Sequence, residues 1–175
     1  MKPNLQPRDS AVAAGVSPGY SEPIGRPTPP RRIERAAERD IAAIAALLRE
    51  AGLPHDEIAP HVARFLVARD EHDSVIGAIG AEKYAPDALL RSLVVAPPQR
   101  GAGLGDALLR QLEKSAAGWG VTRWWLLTTT AETFFAGRGF VVISRDQAPG
   151  AIRQTGQFQG GCCRSAVCLS RPRRD

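Results

Sequence analysis

The chain has 175 residues, of which 43% are hydrophobic, and a formal net charge of +5. That length and composition suit one domain with its own core and some loosely attached chain. Much of the positive charge lies near the two ends and aromatic residues make up only 6%, so the pattern disfavours nucleic-acid binding and leaves a phosphate-rich small ligand as the better match.

Two other classes are disfavoured by what the chain lacks. No apolar run approaches the ~20 residues of a membrane span, and the first residues lack the basic-then-apolar order of a signal peptide. The three cysteines, Cys162, Cys163 and Cys168, are few and odd in number. This usage is typical of a reducing compartment, so we expect a cytoplasmic protein without membrane or nucleic-acid partners.

The first 30 residues are rich in proline, glycine and serine and show no hydrophobic period. We therefore expect a disordered leader over residues 1–30 and one folded domain over residues 31–175. In chain order, the patterns predict a strand at 33–36, a helix capped by Asp40 and ended by Gly52, a short helix at 56–62, strands at 65–68, 74–83 and 88–95, a helix at 103–118, a strand at 124–128, a short helix at 131–137, a strand at 140–144, a helical turn at 149–154 and a last strand at 165–170.

This order predicts an α/β (α+β) fold with a mixed sheet, largely antiparallel and partly parallel at its centre, flanked by helices. A glycine-rich turn, Arg100-Gly101-Ala102-Gly103-Leu104-Gly105, joins the strand at 88–95 to the long helix. Helix N-termini present unpaired N–H groups and a partial positive charge, and the glycines let the backbone approach a phosphate closely. Arg100 adds a charge, so the turn is predicted to bind an anion.

A plain tight turn is the simplest alternative at this position. A dinucleotide site would place the turn after the first strand, with an acidic residue about 20 residues on, where this chain has Trp125. A P-loop needs Gly-Lys-Ser/Thr, but the chain continues Gly105-Asp106-Ala107. An acyl-CoA pyrophosphate is the ligand that remains.

Two stretches resemble the GNAT superfamily of N-acetyltransferases. Residues 93–105, LVVAPPQRGAGLG, are similar to its acetyl-CoA motif, and residues 131–140, AETFFAGRGF, to its second cofactor segment. The resemblance implies acetyl-CoA as co-substrate and a sheet splayed between its central parallel strands. It also implies cofactor contacts at Leu93, Val94, Val95, Arg100, Gly101, Ala102, Gly103, Leu104, Gly105 and Phe135.

Three further stretches, residues 89–95, 126–131 and 148–155, resemble the arsenic-resistance N-acetyltransferases and, more distantly, the acetyltransferase domain of N-acetylglutamate synthases. Both relatives imply a small anionic amino acid as acceptor: glutamate, or its analogues arsinothricin and phosphinothricin. The forked donors of arginine match the geometry of a carboxylate, and serine and threonine hydroxyls can add hydrogen bonds. We therefore expect acceptor contacts at Arg91, Ser92, Thr129, Arg153, Arg164 and Ser165. The chain departs from the subgroup at Cys162-Cys163, where Cys-Pro is usual.

The resemblance also implies that backbone N–H groups at Val94 and Val95 polarise the thioester carbonyl. Glu82, near the end of its strand, is the favoured general base. Three alternatives stay open: Glu82 is only a solvated side chain, Glu132 is the base, or bulk water takes the proton. Many relatives carry Tyr where this chain has Phe135, so no general acid is assigned. No metal site is predicted, and arsenic binding by the three thiols is the weaker alternative to packing.

Three activities stay open at this level. The first is amino-acid N-acetylation, the second a non-catalytic acyl-CoA sensor, and the third acetylation of peptides. A monomer and a homodimer are both compatible with the chain.

Overall fold

The computed structural model describes residues 32–160 and 165–173. These residues form one sheet of seven strands, which are β1 (Arg32–Arg35), β2 (Phe65–Arg69), β3 (Val75–Tyr84), β4 (Asp87–Val95), β5 (Arg123–Thr128), β6 (Val141–Val142) and β7 (Val167–Pro172). The spatial order is β1-β2-β3-β4-β5-β7-β6. Neighbours are antiparallel except β4 and β5, which are parallel. The predicted mixed, largely antiparallel sheet is confirmed.

The α-helices of the described residues are α1 (Ile41–Glu50), α2 (Leu104–Ser115), α3 (Glu132–Ala136), α4 (Gly150–Arg153) and α5 (Gly156–Gln159). The helix expected at 56–62 is instead a 3-10 turn, Ala59–Arg64. Helix α5 was not predicted because it has no apolar period, and its start depends on Thr155, whose hydroxyl accepts the Phe158 N–H at 3.4 Å. None of the helices in the described ranges is long and apolar enough to cross a membrane.

The helices cover both faces of the sheet. The α2 leucines that recur every four residues, Leu104, Leu108 and Leu112, are buried in the larger core on one face. On the other face, Ile44 and Leu48 of α1 pack against Phe65 and other inward residues of β2. Alternating strand side chains feed these two cores in turn, so the sheet is buried on both sides where the two helices lie.

Asp40 precedes α1 at the expected N-cap position, but its side chain makes no bond to the helix. Its Oδ2 accepts the Ala37 N–H at 2.9 Å and its Oδ1 accepts Arg69 Nη2 at 2.7 Å. Arg69 also donates to Glu34 at 2.6 Å. Although burial alone raises the pKa of Asp40, the Ala37 N–H and the Arg69 guanidinium hold it below its ordinary value. The residue therefore anchors the start of α1 to the sheet by an ion pair.

A bulge in β4 breaks the regularity of the sheet. Ala78 pairs with Val94 but Gly80 pairs with Arg91, so β4 carries one extra residue between these two pairs. Ser92, inside the bulge, has φ +59°, a left-handed conformation that non-glycine residues adopt only where the surroundings impose it. Bulges bend a strand and increase its twist, which directs the end of β4 away from its parallel neighbour.

Candidate active site

The parallel strands β4 and β5 separate along their length. They pair only where Asp87–Leu89 of β4 lies beside Arg123–Trp125 of β5, and Trp125 Nε1 donates to Asp87 Oδ1 at 2.7 Å at that closed end. Beyond it the strands diverge around a cavity of about 510 Å³. The splay expected between the central strands is present, and the lining includes Leu90, Arg91, Ser92 and Leu93 from β4 and Leu126, Leu127 and Thr128 from β5.

The glycine turn connects β4 to α2. Gly101 and Gly103 both have φ +81°, and a Cβ built on either would meet no atom within 4 Å. The positive φ favours glycine, and the absence of atoms near an added Cβ shows that the turn faces open space. Gly103 is the N-cap of α2, so the free N–H groups and the partial positive charge of that helix end are presented to whatever occupies the space.

The end of β4 presents the backbone of Val95 to the gap. The Ala96 N–H donates to the Ile76 carbonyl at 2.9 Å. Hydrogen-bonded and non-hydrogen-bonded pairs alternate along an antiparallel ladder, so Val94, opposite Ala78, also directs its N–H at β3. The intervening Val95 directs its N–H and carbonyl away from β3. Of the two residues that the resemblance implies as backbone donors, Val95 is therefore the one whose N–H points away from β3.

Arg100 lies beside this strand end. Its Nε donates to the Val95 carbonyl at 2.9 Å while the side chain stays exposed. One edge of the guanidinium is thus held by the strand. The bond fixes a positive charge between the end of β4 and the glycine turn.

An aromatic cluster forms the wall of the cavity on the α3 side. Phe135 is 4% exposed and lines the cavity. Its ring meets Phe134 and Phe140 edge-to-face, at centroid distances of 5.0 and 5.4 Å. Phe134 in turn lies under the Arg138 guanidinium, 3.6 Å from the ring centroid. The cluster holds an apolar ring at the cavity and offers no proton donor there.

The other end of the cavity contains a buried ionic group. Arg91 Nη1 donates to Glu82 Oε1, and Arg91 Nη2 donates to the Asp56 carbonyl at 3.1 Å. The Tyr84 hydroxyl donates to Glu82 Oε2 at 2.6 Å. Burial, followed by the bond to Glu82, raises the pKa of Tyr84. Glu82 is 4% exposed, and among the described residues it is Arg91, not Glu82, that lines the cavity.

Residues 61–142 match the acetyltransferase (GNAT) domain family. An amino-acid acetyltransferase of Neisseria meningitidis serogroup A is 30% identical over 138 residues, which are 73% of this chain and 31% of that protein. One from Ralstonia nicotianae is 35% identical over 92 residues, 51% of this chain and 20% of that protein.

Solved structures agree. N-acetylglutamate synthase from Neisseria gonorrhoeae, complexed with coenzyme A and N-acetyl-glutamate, superposes with a TM-score of 0.71 at 27% identity, covering 82% of this chain and 35% of that chain. The same enzyme complexed with coenzyme A and L-arginine gives a TM-score of 0.70 at 26% identity, covering 82% and 33%. This chain carries a GNAT acetyltransferase domain. It spans about a third or less of the length of these relatives, and the superfamily that residues 93–105 and 131–140 resemble is confirmed.

The GNAT domain brings some of the predicted acceptor residues together and leaves others apart. Arg91, Ser92 and Thr129 line the cavity. Arg153 is exposed and is not in the lining, and its charge helps to lower the pKa of Asp146, after that carboxyl's hydrogen bonds with Ser144 and the backbone.

Ser165 is also exposed, next to the cavity-lining Ala166. Arg164, Cys162 and Cys163 lie outside the described residues. Cys168 is buried, and burial raises the pKa of its thiol to about 11.

The cavity of the GNAT domain also includes residues that the sequence did not single out. Arg49, His55 and Asp56 line it from the end of α1 and the loop that follows, and Gln157 lines it from α5. Arg49 makes no ion pair with a described residue. The available signal was Gly52, which ends α1 with φ +66° and turns the loop toward the sheet. Helical periodicity indicated where α1 lies but not which side of the sheet it covers.

Proposed function

We propose that this domain transfers an acetyl group from acetyl-CoA to the α-amine of a small anionic amino acid. One observation carries the proposal: a GNAT domain matched by amino-acid acetyltransferases holds a cavity lined by Arg49 and Arg91, and the strand β4 that lines this cavity leads into the glycine turn. Its acceptor would be glutamate, as in an N-acetylglutamate synthase-like enzyme, or arsinothricin or phosphinothricin, as the resemblance to the arsenic-resistance N-acetyltransferases suggests. A cytoplasmic protein is proposed, because a buried free thiol at Cys168 suits a reducing compartment.

The residues at the glycine turn fit a pyrophosphate. The open space at Gly101 and Gly103 leaves room for phosphate oxygens beside the backbone, and the helix end and Arg100 supply positive charge. Gly101, Ala102, Gly103, Leu104 and Gly105 would contribute backbone N–H groups. The side chain of Leu104 is buried in the core, so its part is limited to the backbone.

Between the turn and the acceptor end, Leu93, Val95 and Phe135 would hold the pantetheine arm. Acetyl-CoA supplies the acetyl group as a thioester, whose carbonyl must be polarised as the amine attacks. The N–H of Val95 is directed into the gap and suits that role. Phe135 cannot donate a proton, so the thiolate would leave without help from this position. Glu82, the general base favoured by the sequence, already accepts hydrogen bonds at both carboxylate oxygens, from Arg91 and from Tyr84.

The acceptor end has charges of both signs. Arg49 and Arg91 line it as cations and Asp56 as an anion. Arg49 lacks a described counter-ion, so it suits an acceptor carboxylate, and the hydroxyls of Ser92 and Thr129 can add hydrogen bonds. Contacts from Arg153, Arg164 and Ser165 stay predictions, as do a homodimer and the division of the chain at residue 31.

The test is acetyl transfer itself. The full chain is incubated with acetyl-CoA and a panel of glutamate, arsinothricin, phosphinothricin and neutral and basic amino acids, and thiol release and the N-acetyl product are followed. We expect turnover to be highest with the anionic amino acids. Absence of product with every amino acid would refute the proposal, and a preference for basic or neutral ones would refute the anionic acceptor alone.

A second candidate is a non-catalytic acyl-CoA sensor, favoured by the ring at Phe135 and by the ion pair that occupies Glu82. It predicts coenzyme A binding, measured by calorimetry, without turnover on any amine. Product formation above the uncatalysed rate excludes it. A peptide acetyltransferase would instead show faster product formation on peptides than on free amino acids.

A further inference from the structure

Both carboxylate oxygens of Glu82 already have donors. Arg91 Nη1 donates to Oε1, and the Tyr84 hydroxyl donates to Oε2 at 2.6 Å. His61 Nε2 lies 3.8 Å from the same Oε2. A general base needs a lone pair directed at the amine whose proton it takes. Glu82 is buried, and the cavity lining among the described residues includes its partner Arg91 but not Glu82 itself.

Arg91 connects Glu82 to the cavity wall. Its side chain is 1% exposed, and besides Glu82 it reaches the Asp56 carbonyl at 3.1 Å and Ser92 Oγ at 3.5 Å. Asp56 belongs to the loop after α1, and Ser92 is the left-handed residue of the β4 bulge. One guanidinium therefore joins β3, the bulge of β4 and the loop that borders the acceptor end.

We propose that Glu82 is a positioning residue and not the general base: it fixes the Arg91 guanidinium, which ties the loop at 52–58 to β4 and so shapes the acceptor end of the cavity. This inference rests on the proposed acetyl transfer. Protonating Glu82 during the reaction would remove the counter-charge of a buried arginine, so the geometry suits a structural partner of Arg91.

The groups around Glu82 and the loop at 52–58 support this role. Burial and the bond to Glu82 raise the pKa of Tyr84, so the phenol stays protonated and keeps donating to Oε2. The carboxylate of Glu57 is close to Gly156 of α5, with Oε2 2.7 Å from where a Cβ would be. Because Glu57 has φ +60°, this loop holds an unfavourable backbone conformation that its contacts must maintain.

The test compares Glu82→Gln with Glu82→Ala. The glutamine oxygen can accept from Arg91, and its amide can donate to the Tyr84 oxygen, so the shape and both bonds are retained while the ability to take a proton is lost. Initial rates are measured at saturating acetyl-CoA with varied amino-acid acceptor across the pH range in which the fold is stable.

We expect Glu82→Gln to keep kcat within about 10-fold of the wild type with the same pH profile. Glu82→Ala should raise the KM for the acceptor by more than about 10-fold, and its effect on kcat should be smaller than its effect on KM. The inference is overturned if both variants lose kcat by roughly 10²–10⁴-fold together with the acidic limb of the pH profile, which is the behaviour of a lost general base.

Hydrogen exchange of the loop amides gives a readout that needs no turnover. Glu82→Ala should accelerate exchange at 52–58, and Glu82→Gln should not. Unchanged exchange in the alanine variant would refute the tie between Arg91 and the loop, whatever the activity. If the wild type acetylated no amine, the proposed function would fail while this measurement still decided the role of Glu82.

Discussion

A negative charge at Gly103 tests whether the start of α2 holds the cofactor phosphates. Gly103→Asp places a carboxylate at the N-cap, where open space accommodates the side chain. Gly103→Asn has the same shape without the charge. Aspartate and asparagine both tolerate the left-handed conformation better than other residues do, so the strain at φ +81° is shared by the pair and cancels in the comparison.

The size of the effect follows from the exposure of the turn. Two unit charges 4 Å apart repel by about 1 kcal/mol in bulk water and about 4 kcal/mol at the effective dielectric near a protein surface. Residues 101–103 are exposed, so we expect a penalty of about 1–3 kcal/mol. Since each 1.4 kcal/mol is about tenfold, the Kd of coenzyme A should be roughly 5-fold to 150-fold higher for aspartate than for asparagine.

Isothermal titration with coenzyme A measures the two Kd values at low and at high salt. The ratio should shrink at high salt, because the Debye length falls to about 3 Å at 1 M. Circular dichroism should show the same helix content in both variants, since an acidic residue at a helix N-terminus is itself favourable. Equal affinities for the two variants at low salt would show that the phosphates lie elsewhere.

The other predictions concern the core, an ion pair and a thiol. Gly80→Ala should lower the free energy of unfolding by about 1–3 kcal/mol, because its Cβ would lie 2.3 Å from the buried Phe65 ring; thermal unfolding measures this. Asp40→Asn should cost about 1–2 kcal/mol at neutral pH, because it weakens a buried pair with Arg69 whose side chains are 4% and 5% exposed, while Glu34 still accepts from Arg69. Since folding lowers the pKa of Asp40, this stabilisation is present above the ordinary carboxyl pKa and lost as the pH falls, so urea unfolding curves of the two proteins should converge in acid. Cys168, whose pKa burial raises to about 11, should resist a thiol reagent near neutral pH in a protein whose other cysteines are replaced by serine, and should react after unfolding in guanidinium.

Each of these has a matched control. Gly118→Ala adds the same methyl group where nothing lies within 4 Å, so this variant should unfold at the same temperature as the wild type. An equal loss of stability in Gly80→Ala and Gly118→Ala would contradict the clash with Phe65. For the ion pair, a stability difference that persisted in acid would refute the linkage. Rapid labelling of Cys168 in the folded protein would show that its thiol is reached by solvent.

The sequence by itself determined the main strands, the two longest helices and the glycine turn. Hydrophobic periods gave β1 to β5, α1 and α2 to within a few residues, because amphipathic repeats of 2 and 3.6 are local properties. The glycine turn could be identified because its signal is also local in the sequence. Left-handed backbone and close approach require glycine at particular positions, and Gly101 and Gly103 have the conformation that this requires.

The acceptor end was decided by tertiary structure alone. Glu82 and Arg91 lie on adjacent strands, and their pairing follows from the register between β3 and β4, which a one-residue bulge changes. Periodicity does not indicate such a bulge, so the sequence could place Glu82 near the centre but could not show that Arg91 already occupies it. Arg49 and Asp56 come to the cavity because α1 packs on that face of the sheet, a contact between segments distant along the chain that no local pattern encodes.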